Sequence, residues 1–252
     1  MPHYTRAIVR RPGKNFADGI TTSNLGKPIF EKALDQHKAY CEALTKCGLE
    51  VIVLEADERY PDGCFVEDTA VVTNEVAIIT RPGNPARLGE EITIKEVLKQ
   101  YKAIETIDAP GNLDGGDILR VENHFYIGLT DRTNKEGAKQ LSAHLQKHGY
   151  TSSTVDVKDI LHLKTGIAYL GNNNFIALDQ LSNIINGSNT IILDPNESYS
   201  ANCLRVNDYL LIPKGFPNSK DQIAKLGYNI IEIEMSEFRK MDGGLTCLSL
   251  LF

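Results

Sequence analysis

Apolar and polar positions along this chain follow a recurring order. Four stretches share it: FVEDTAVVTNEVAIITR at 65–81, GGDILRVENHFYIGLTDR at 115–132, LHLKTGIAYLGNNNFIALD at 161–179 and SANCLRVNDYLLIPKG at 200–215. Each has a polar motif, a short apolar strand, a polar turn and a second apolar strand. The turns TNE, EN, GNNN and ND suit hairpins. ILRVENHFYIGL and CLRVNDYLLIPK align almost position by position. The first three units are spaced by about 50 residues, a period that marks repeat architectures.

Between the hairpins the apolar period lengthens to that of a helix. Residues 27–47 carry Phe30, Ala33, Leu34, His37, Cys41 and Leu44 at helical spacing and stop at Gly48. Residues 134–148 start at Asn134, a residue type that caps helices, put Ala138, Leu141 and Leu145 on one face and stop at Gly149. A third helix is predicted over 219–226, from Ser219 to Gly227. Strands follow each helix, at 50–56, 103–109 and 228–234. The chain therefore reads as strand, strand, helix, strand, repeated about five times at roughly 50 residues per unit. The predicted fold class is α/β, a five-unit pseudo-symmetric ββαβ propeller forming one domain over 1–252. Each unit would point its leading motif at a central channel: VED, DGGD, HLK, the AN before Cys203, and GGLTC.

Composition narrows the partners. Apolar residues make up 42 % of the 252-residue chain and charged ones 24 %, with a net charge of −6. That sign argues against a nucleic-acid partner, which needs a basic face, and favours a small cationic one. No apolar run reaches the roughly 20 residues that span a bilayer, so no membrane association is expected. The start, MPHYTRAIVRRPGKNF, lacks a signal-peptide core. Cys41, Cys47, Cys64, Cys203 and Cys247 form no CxxC pair, so neither a disulfide framework nor a structural zinc site is indicated. A reducing cytoplasm is the expected setting.

The converging motifs supply carboxylates (Asp62, Glu67, Asp68, Asp114, Asp117), one histidine (His162) and one thiol (Cys247). A cysteine with a histidine points to nucleophilic catalysis. Cys247 follows Gly243-Gly244, a pair that reads as a hinge or as room for close approach to a substrate. So many acids would raise the pKa of a free thiol. The arrangement makes sense if the substrate is itself a cation, held by the carboxylates and stabilising the thiolate. A cation with an electrophilic carbon is a guanidinium. Each residue also has a plainer reading. Cys247 could be a buried core thiol and His162 a hydrogen-bonded core histidine. Asp68 could satisfy turn amides, and Asp117 is read that way outright. Arg87 and Arg132 could be surface ion-pair residues. His144 and His148 have the i, i+4 spacing of metal ligands but no accompanying acid motif. Cys41 and Cys47 look like packing, Cys64 lies close to the motifs, and Cys203 begins a strand that would face the channel.

In their order and spacing, FVED, LDGGD, LHLKT and DGGLTC resemble the dimethylarginine dimethylaminohydrolase family of the guanidine-modifying superfamily, from NFADGITTSNLGKP to the final CLSL. The resemblance implies the five-unit α/β propeller and a hydrolase that converts Nω-methylated L-arginine to L-citrulline and an alkylamine through a covalent thiouronium. It implies Cys247 as nucleophile, His162 as general acid/base and Asp114 as the acid that orients it. Asp68 and Glu67 would lie near the guanidinium. Asp62 would take the α-amino group, and Arg87 and Arg132 the α-carboxylate. Phe65 would wall the pocket, with Met241 near the substrate. Residues 14–26 would form a mobile lid carrying Ile20, with Gly19 and Gly26 as hinges. No metal or organic cofactor is implied, and a homodimer is compatible with the resemblance.

Sister enzymes share much of this set. Arginine deiminases carry an acid two residues after the histidine, where this chain has Lys164; one acid fewer leaves room for N-methyl groups. Arg87 and Arg132 speak against an agmatine deiminase, and amidinotransferases are usually longer. The alternatives are an arginine deiminase or other substituted-guanidine hydrolase, a silent guanidinium sensor, or an interaction domain.

Overall fold

A computed structural model describes residues 3–184 and 189–252. In chain order its elements are β1 (Arg6–Arg10), α1 (Phe30–Lys46), β2 (Glu50–Leu54), β3 (Ala70–Val72), β4 (Val76–Ile79), α2 (Glu90–Leu98), β5 (Ala103–Thr106), β6 (Ile118–Val121), β7 (His124–Leu129), α3 (Lys135–Lys147) and β8 (Thr151–Asp156). They continue with α4 (Leu163–Gly166), β9 (Ile167–Gly171), β10 (Asn174–Ala177), β11 (Asn189–Ile192), β12 (Leu204–Val206), β13 (Tyr209–Pro213), α5 (Pro217–Ala224), β14 (Asn229–Ile233), α6 (Ser236–Arg239) and β15 (Leu250–Leu251). No helix among the described residues is long and apolar enough to cross a membrane.

The strands form five sheets of three: β3-β4-β5, β6-β7-β8, β9-β10-β11, β12-β13-β14 and β15-β1-β2. All five share one plan. The first two strands are antiparallel and the third runs parallel to the second, as in Ile118↔Ile127 followed by Ile127↔Thr154. The parallel step needs a crossover, and α1, α2, α3 and α5 supply it in four units. In the third unit no α-helix joins β10 to β11 among the described residues; a short 3-10 turn at Asp179–Leu181 stands there instead. The hairpin turns are where the sequence put them. Asn172 and Asn173 both take left-handed φ (53° and 61°), a conformation that asparagine tolerates better than most residues.

The middle strands are the most buried, because each is covered on both faces: Val76, Ala77 and Ile78 of β4 and Leu210 and Leu211 of β13 are fully enclosed. Helix α3 matches its predicted face, with Ala138, Leu141 and Leu145 buried and the Asn134 side chain accepting the Gly137 N–H. Two helices differ in detail. The buried seam of α1 keeps the predicted Ala33, His37 and Leu44 but takes Gln36, Tyr40 and Ala43 in place of Phe30, Leu34 and Cys41, and the helix starts only after Pro28. Helix α5 starts at Pro217 rather than Ser219, since proline fits the first helical position, where its missing N–H costs nothing.

The core under the fifth unit reaches the region of interest directly. Phe238 is fully buried and its ring lies 5.4 Å from that of Phe16 and 6.3 Å from that of Phe65. Phe238→Ala would empty the centre of this triad. The expected loss is about 3–5 kcal/mol of stability, read as a lower urea midpoint at unchanged slope.

Candidate active site

Each of the five units has a tight helical turn just before its first strand, and the turns carry the polar motifs: Val66–Thr69, Gly115–Asp117, α4, Pro195–Ala201 and Thr246–Leu248. Side-chain hydrogen bonds join them in a circuit. Asp68 Oδ1 accepts the Gly116 N–H at 2.8 Å, and Asp114 Oδ2 lies 3.0 Å from His162 Nε2. Asn202 Nδ2 donates to the Lys164 carbonyl at 3.1 Å, and the Asn202 Oδ1 accepts the Thr246 N–H at 2.9 Å. Thr246 Oγ1 returns to Glu67 Oε2 at 2.8 Å. The predicted convergence of all five motifs is thus what the structure shows.

A cavity of about 400 Å³ opens on one side of this circuit. Ile20, Asp62, Phe65, Asp68, Arg87, Arg132, His162, Met241 and Cys247 all line it. Asp114 stands directly behind, fully buried, where it bonds His162, accepts the Gly83 N–H at 2.8 Å and faces Arg132 Nη1 at 3.3 Å. A second, smaller cavity of about 170 Å³ lies on the other side, lined by Glu67, Lys164, Cys203 and Thr246. The two share no lining residue, although their walls are sequence neighbours: Glu67 and Asp68, Lys164 and Thr165, Cys203 and Asn202, Thr246 and Cys247.

That alternation corrects two expectations. Glu67 does not face the cavity that holds Cys247. It points to the opposite side, where Lys164 Nζ donates to it at 2.5 Å. Lys164 is turned away for the same reason, and neutralises Glu67 instead of facing a ligand. The glycine pair is not a hinge either. Neither Gly243 nor Gly244 has positive φ, but a Cβ on Gly243 would meet the Phe65 ring at 2.2 Å and one on Gly244 would meet Asn202 at 2.4 Å. The pair lets the turn that carries Cys247 pack against its neighbours. In the predicted lid, Gly26 does have the φ of a hinge (86°). Gly19 instead is required by contact, since a Cβ there would sit 2.6 Å from Asp62 Oδ1.

The arginines have different commitments. Arg87 is buried and gives its donors to Asp68 (2.5 Å), to Glu90 (2.7 Å at the closest) and to the Phe65 carbonyl (3.1 Å). Its donors are therefore spent on Asp68 and Glu90 and not held free for the α-carboxylate expected of it. Arg132 makes one side-chain bond among the described residues, the 3.3 Å one to Asp114, and keeps donors to offer. Asp62 accepts the Ile20 N–H at 3.1 Å, which ties the predicted lid to the cavity wall.

Electrostatics set the resting protonation. Burial, then Glu67 and Asp68, push the Cys247 thiol up to about 12, although its sulfur accepts the Gly244 N–H at 3.3 Å. Burial opposes charge on His162, but Asp68, the bond to Asp114 and Asp117 outweigh it and raise the imidazole to about 9. Near neutral pH the cavity thus holds a thiol and an imidazolium. Burial likewise works against the Asp68 carboxylate, yet His162 and Arg87 hold it below the usual carboxylate range. Asp117 is structural, as read from the sequence: it accepts from Thr130, Thr133 and the Leu163 N–H at 2.6–3.0 Å, fixing the backbone beside His162. Asp68, Asp114 and His162 are also the group that could hold a cation, with donor atoms within 4.8 Å of one another, but Arg87 and the histidine already neutralise these acids.

The remaining candidates lie elsewhere. His144 and His148 face Glu105, with His148 Nε2 3.5 Å from it, and take no part in the cavity. Cys64 is buried without lining the cavity, and Cys203 lines the smaller one while its thiol donates to the Ser200 carbonyl at 3.0 Å. Sequence reasoning missed Tyr40, whose hydroxyl donates to the Leu245 carbonyl at 2.8 Å and so anchors the backbone ahead of Cys247. Its place four residues after Gln36 and before Leu44 was a usable signal once the helical phase was right.

His162 should titrate near pH 9 by NMR, and Asp114→Asn should move that titration down. Because the folded value lies above the unfolded one of about 6.5, the stability that the imidazolium contributes is complete below that pH and is lost as pH rises through about 9. A titration at the unfolded value would refute the assignment.

Comparisons with known proteins bear on the family. Residues 19–242 match the family described as N,N dimethylarginine dimethylhydrolase, eukaryotic. The chain is 46% identical to the N(G),N(G)-dimethylarginine dimethylaminohydrolase of Pseudomonas aeruginosa, over 99% of this chain and 100% of that one. It superposes on a solved structure of the P. aeruginosa enzyme, a cysteine-to-serine mutant complexed with citrulline, with a TM-score of 0.98 and 45% identity over the full length of both. A dimethylarginine dimethylaminohydrolase histidine-to-glycine variant in adduct with S-methyl-L-thiocitrulline gives a TM-score of 0.97 at 45% identity, covering 99% of this chain and 100% of that one. With the motifs, the cavity and these matches in agreement, the chain belongs to the dimethylarginine dimethylaminohydrolase family.

Proposed function

We propose that the chain hydrolyses Nω-methylated L-arginine, asymmetric dimethylarginine and monomethylarginine, to L-citrulline and dimethylamine or methylamine. The observation that carries this is one cavity in which a thiol, an imidazolium backed by a buried acid, and a lone low-pKa carboxylate, Asp68, meet. The guanidinium sits against Asp68. Asp62 takes the α-amino group and Arg132 the α-carboxylate, while Arg87 lines the wall and holds Asp68 in place. Phe65, Met241 and Ile20 supply apolar walls. Lys164, turned away with Glu67, leaves Asp68 without a second acid two residues past His162, which favours an ω-nitrogen carrying methyl groups over one that needs another acceptor.

In this reading the bound cation offsets the acids that hold the Cys247 thiol up, and the thiol loses its proton to solvent. The thiolate attacks the guanidinium carbon. The His162 imidazolium protonates the departing dialkylamine nitrogen, which leaves as the amine, and a thiouronium on Cys247 remains. The neutral imidazole then takes a proton from water, and hydroxide adds to the same carbon. Collapse expels the Cys247 thiolate and a proton and gives the urea of citrulline. Asp114 holds the ring throughout and stabilises its charged form.

The wider assignments belong to the same proposal. The five sheets and their hydrogen-bonded turns are the blades and centre of a five-unit propeller, one catalytic unit over 1–252, with residues 14–26 as lid. Five unpaired thiols fit a cytoplasmic setting, and a net charge of −6 offers no footprint for nucleic acid. Size-exclusion chromatography decides between a monomer and a homodimer.

The test is incubation with asymmetric dimethylarginine, monomethylarginine and arginine, with Cys247→Ser as control. Citrulline should form with the matching alkylamine in the unaltered protein alone, and turnover should fall as pH rises through about 9, where His162 ceases to be an acid. Faster release of ammonia from arginine would make the chain a deiminase. Binding of a methylarginine without any product would make it a sensor.

A further inference from the structure

The segment over the cavity is held from a second direction. One carboxylate oxygen, Asp242 Oδ2, accepts three donors from it: the Thr22 N–H at 2.5 Å, the Thr22 hydroxyl at 3.0 Å and the Thr21 hydroxyl at 3.2 Å. The Thr21 hydroxyl also reaches the Lys240 carbonyl at 2.9 Å. Asp242 has left-handed backbone (φ 57°), an uncommon conformation for a residue other than glycine that aspartate adopts more readily than most. The Arg239 carbonyl accepts its N–H at 3.2 Å, and the Phe238 carbonyl accepts that of Gly243 at 3.0 Å. Asp242 therefore sits at a fixed point directly before Gly243-Gly244, whose N–H meets the Cys247 sulfur.

Resting on the hydrolase reading above, we propose that Asp242 is a positioning residue: it latches residues 20–23 over the cavity and so ties the lid to the turn that carries the nucleophile. The other carboxylate holding this segment, Asp62 on the Ile20 N–H, is also assigned to the substrate's amino group, so its grip on the lid is shared. Asp242 spends its Oδ2 wholly on the lid. Charge-assisted bonds of this kind are the stronger ones, and the two from Thr22, with the single Thr21 hydroxyl hydrogen shared between Asp242 and the Lys240 carbonyl, give a latch that a neutral side chain weakens. Where only the closed arrangement binds substrate, apparent affinity scales with the fraction of molecules that are closed, while the rate at saturation is unaffected.

The experiment compares the full chain with Asp242→Asn, Asp242→Ala, Thr22→Val and the Asp242→Ala/Thr22→Val double variant. It uses steady-state kinetics on asymmetric dimethylarginine and hydrogen exchange of the amides in residues 19–26. Asp242→Ala should raise KM about tenfold with kcat within about twofold, and speed exchange of those amides by a similar factor. Asp242→Asn keeps the size and tolerates the same φ, so it should fall between, and Thr22→Val should do less. The double variant should be no worse than Asp242→Ala, because both remove one interaction. Unchanged exchange, or a fall in kcat at constant KM, would overturn the latch and make Asp242 a support for the nucleophile's turn alone. If the unaltered protein turns over no methylated arginine, the reaction assignment fails, and hydrogen exchange still decides the latch on its own.

Discussion

Five carboxylates gather where five sheets meet, and the need to compensate them shapes everything around. Asp114 and Asp117 are fully buried and Glu67 and Asp68 nearly so. Left unpaired they would protonate or prevent folding. Each is answered at least in part by a neighbouring unit: Asp68 by Gly116 as well as Arg87 of its own unit, Asp114 by His162, Asp117 by Leu163 as well as Thr130 and Thr133 of its own, and Glu67 by Lys164 and Thr246. The fifth, Asp62, takes its partner from the segment above the cavity. The circuit of bonds that fixes the five turns thus overlaps the set that makes the acids tolerable, at Asp68–Gly116, Asp114–His162 and Glu67–Thr246. Stability and the site's electrostatics share these bonds.

The same acids hold the Cys247 thiol up. With the thiol near 12 and His162 near 9, both groups keep their protons near neutral pH. In the proposed reaction, the charge of the bound cation is what offsets the acids.

Much of this was legible in the residues. The hairpin repeats marked four of the five units, and DGGD, HLKT and DGGLTC named the turns that converge. Asp117 and the face of α3 were read correctly. One cause of failure is that direction within a tight turn is not written in spacing. Glu67 and Asp68 are neighbours and face opposite cavities, as do Lys164 and Thr165. The face of α1 was only partly placed: Ala33, His37 and Leu44 are buried as read, but polar Gln36 is buried there while Phe30 is not. Gly243 was read as freedom, and its reason is the Phe65 ring 2.2 Å from where a Cβ would stand. Arg87 looked like a hand extended to a ligand, and its guanidinium is bound to Asp68 and Glu90.

The Glu67–Lys164 pair and Thr246 line the smaller cavity, and no lining residue belongs to both. The two are separate chambers set back to back, each walled by the sequence neighbours of the other's residues. A side chain replaced on one side therefore reaches the other through the backbone of the turn they share, so the two chambers can differ in chemistry while standing on one scaffold.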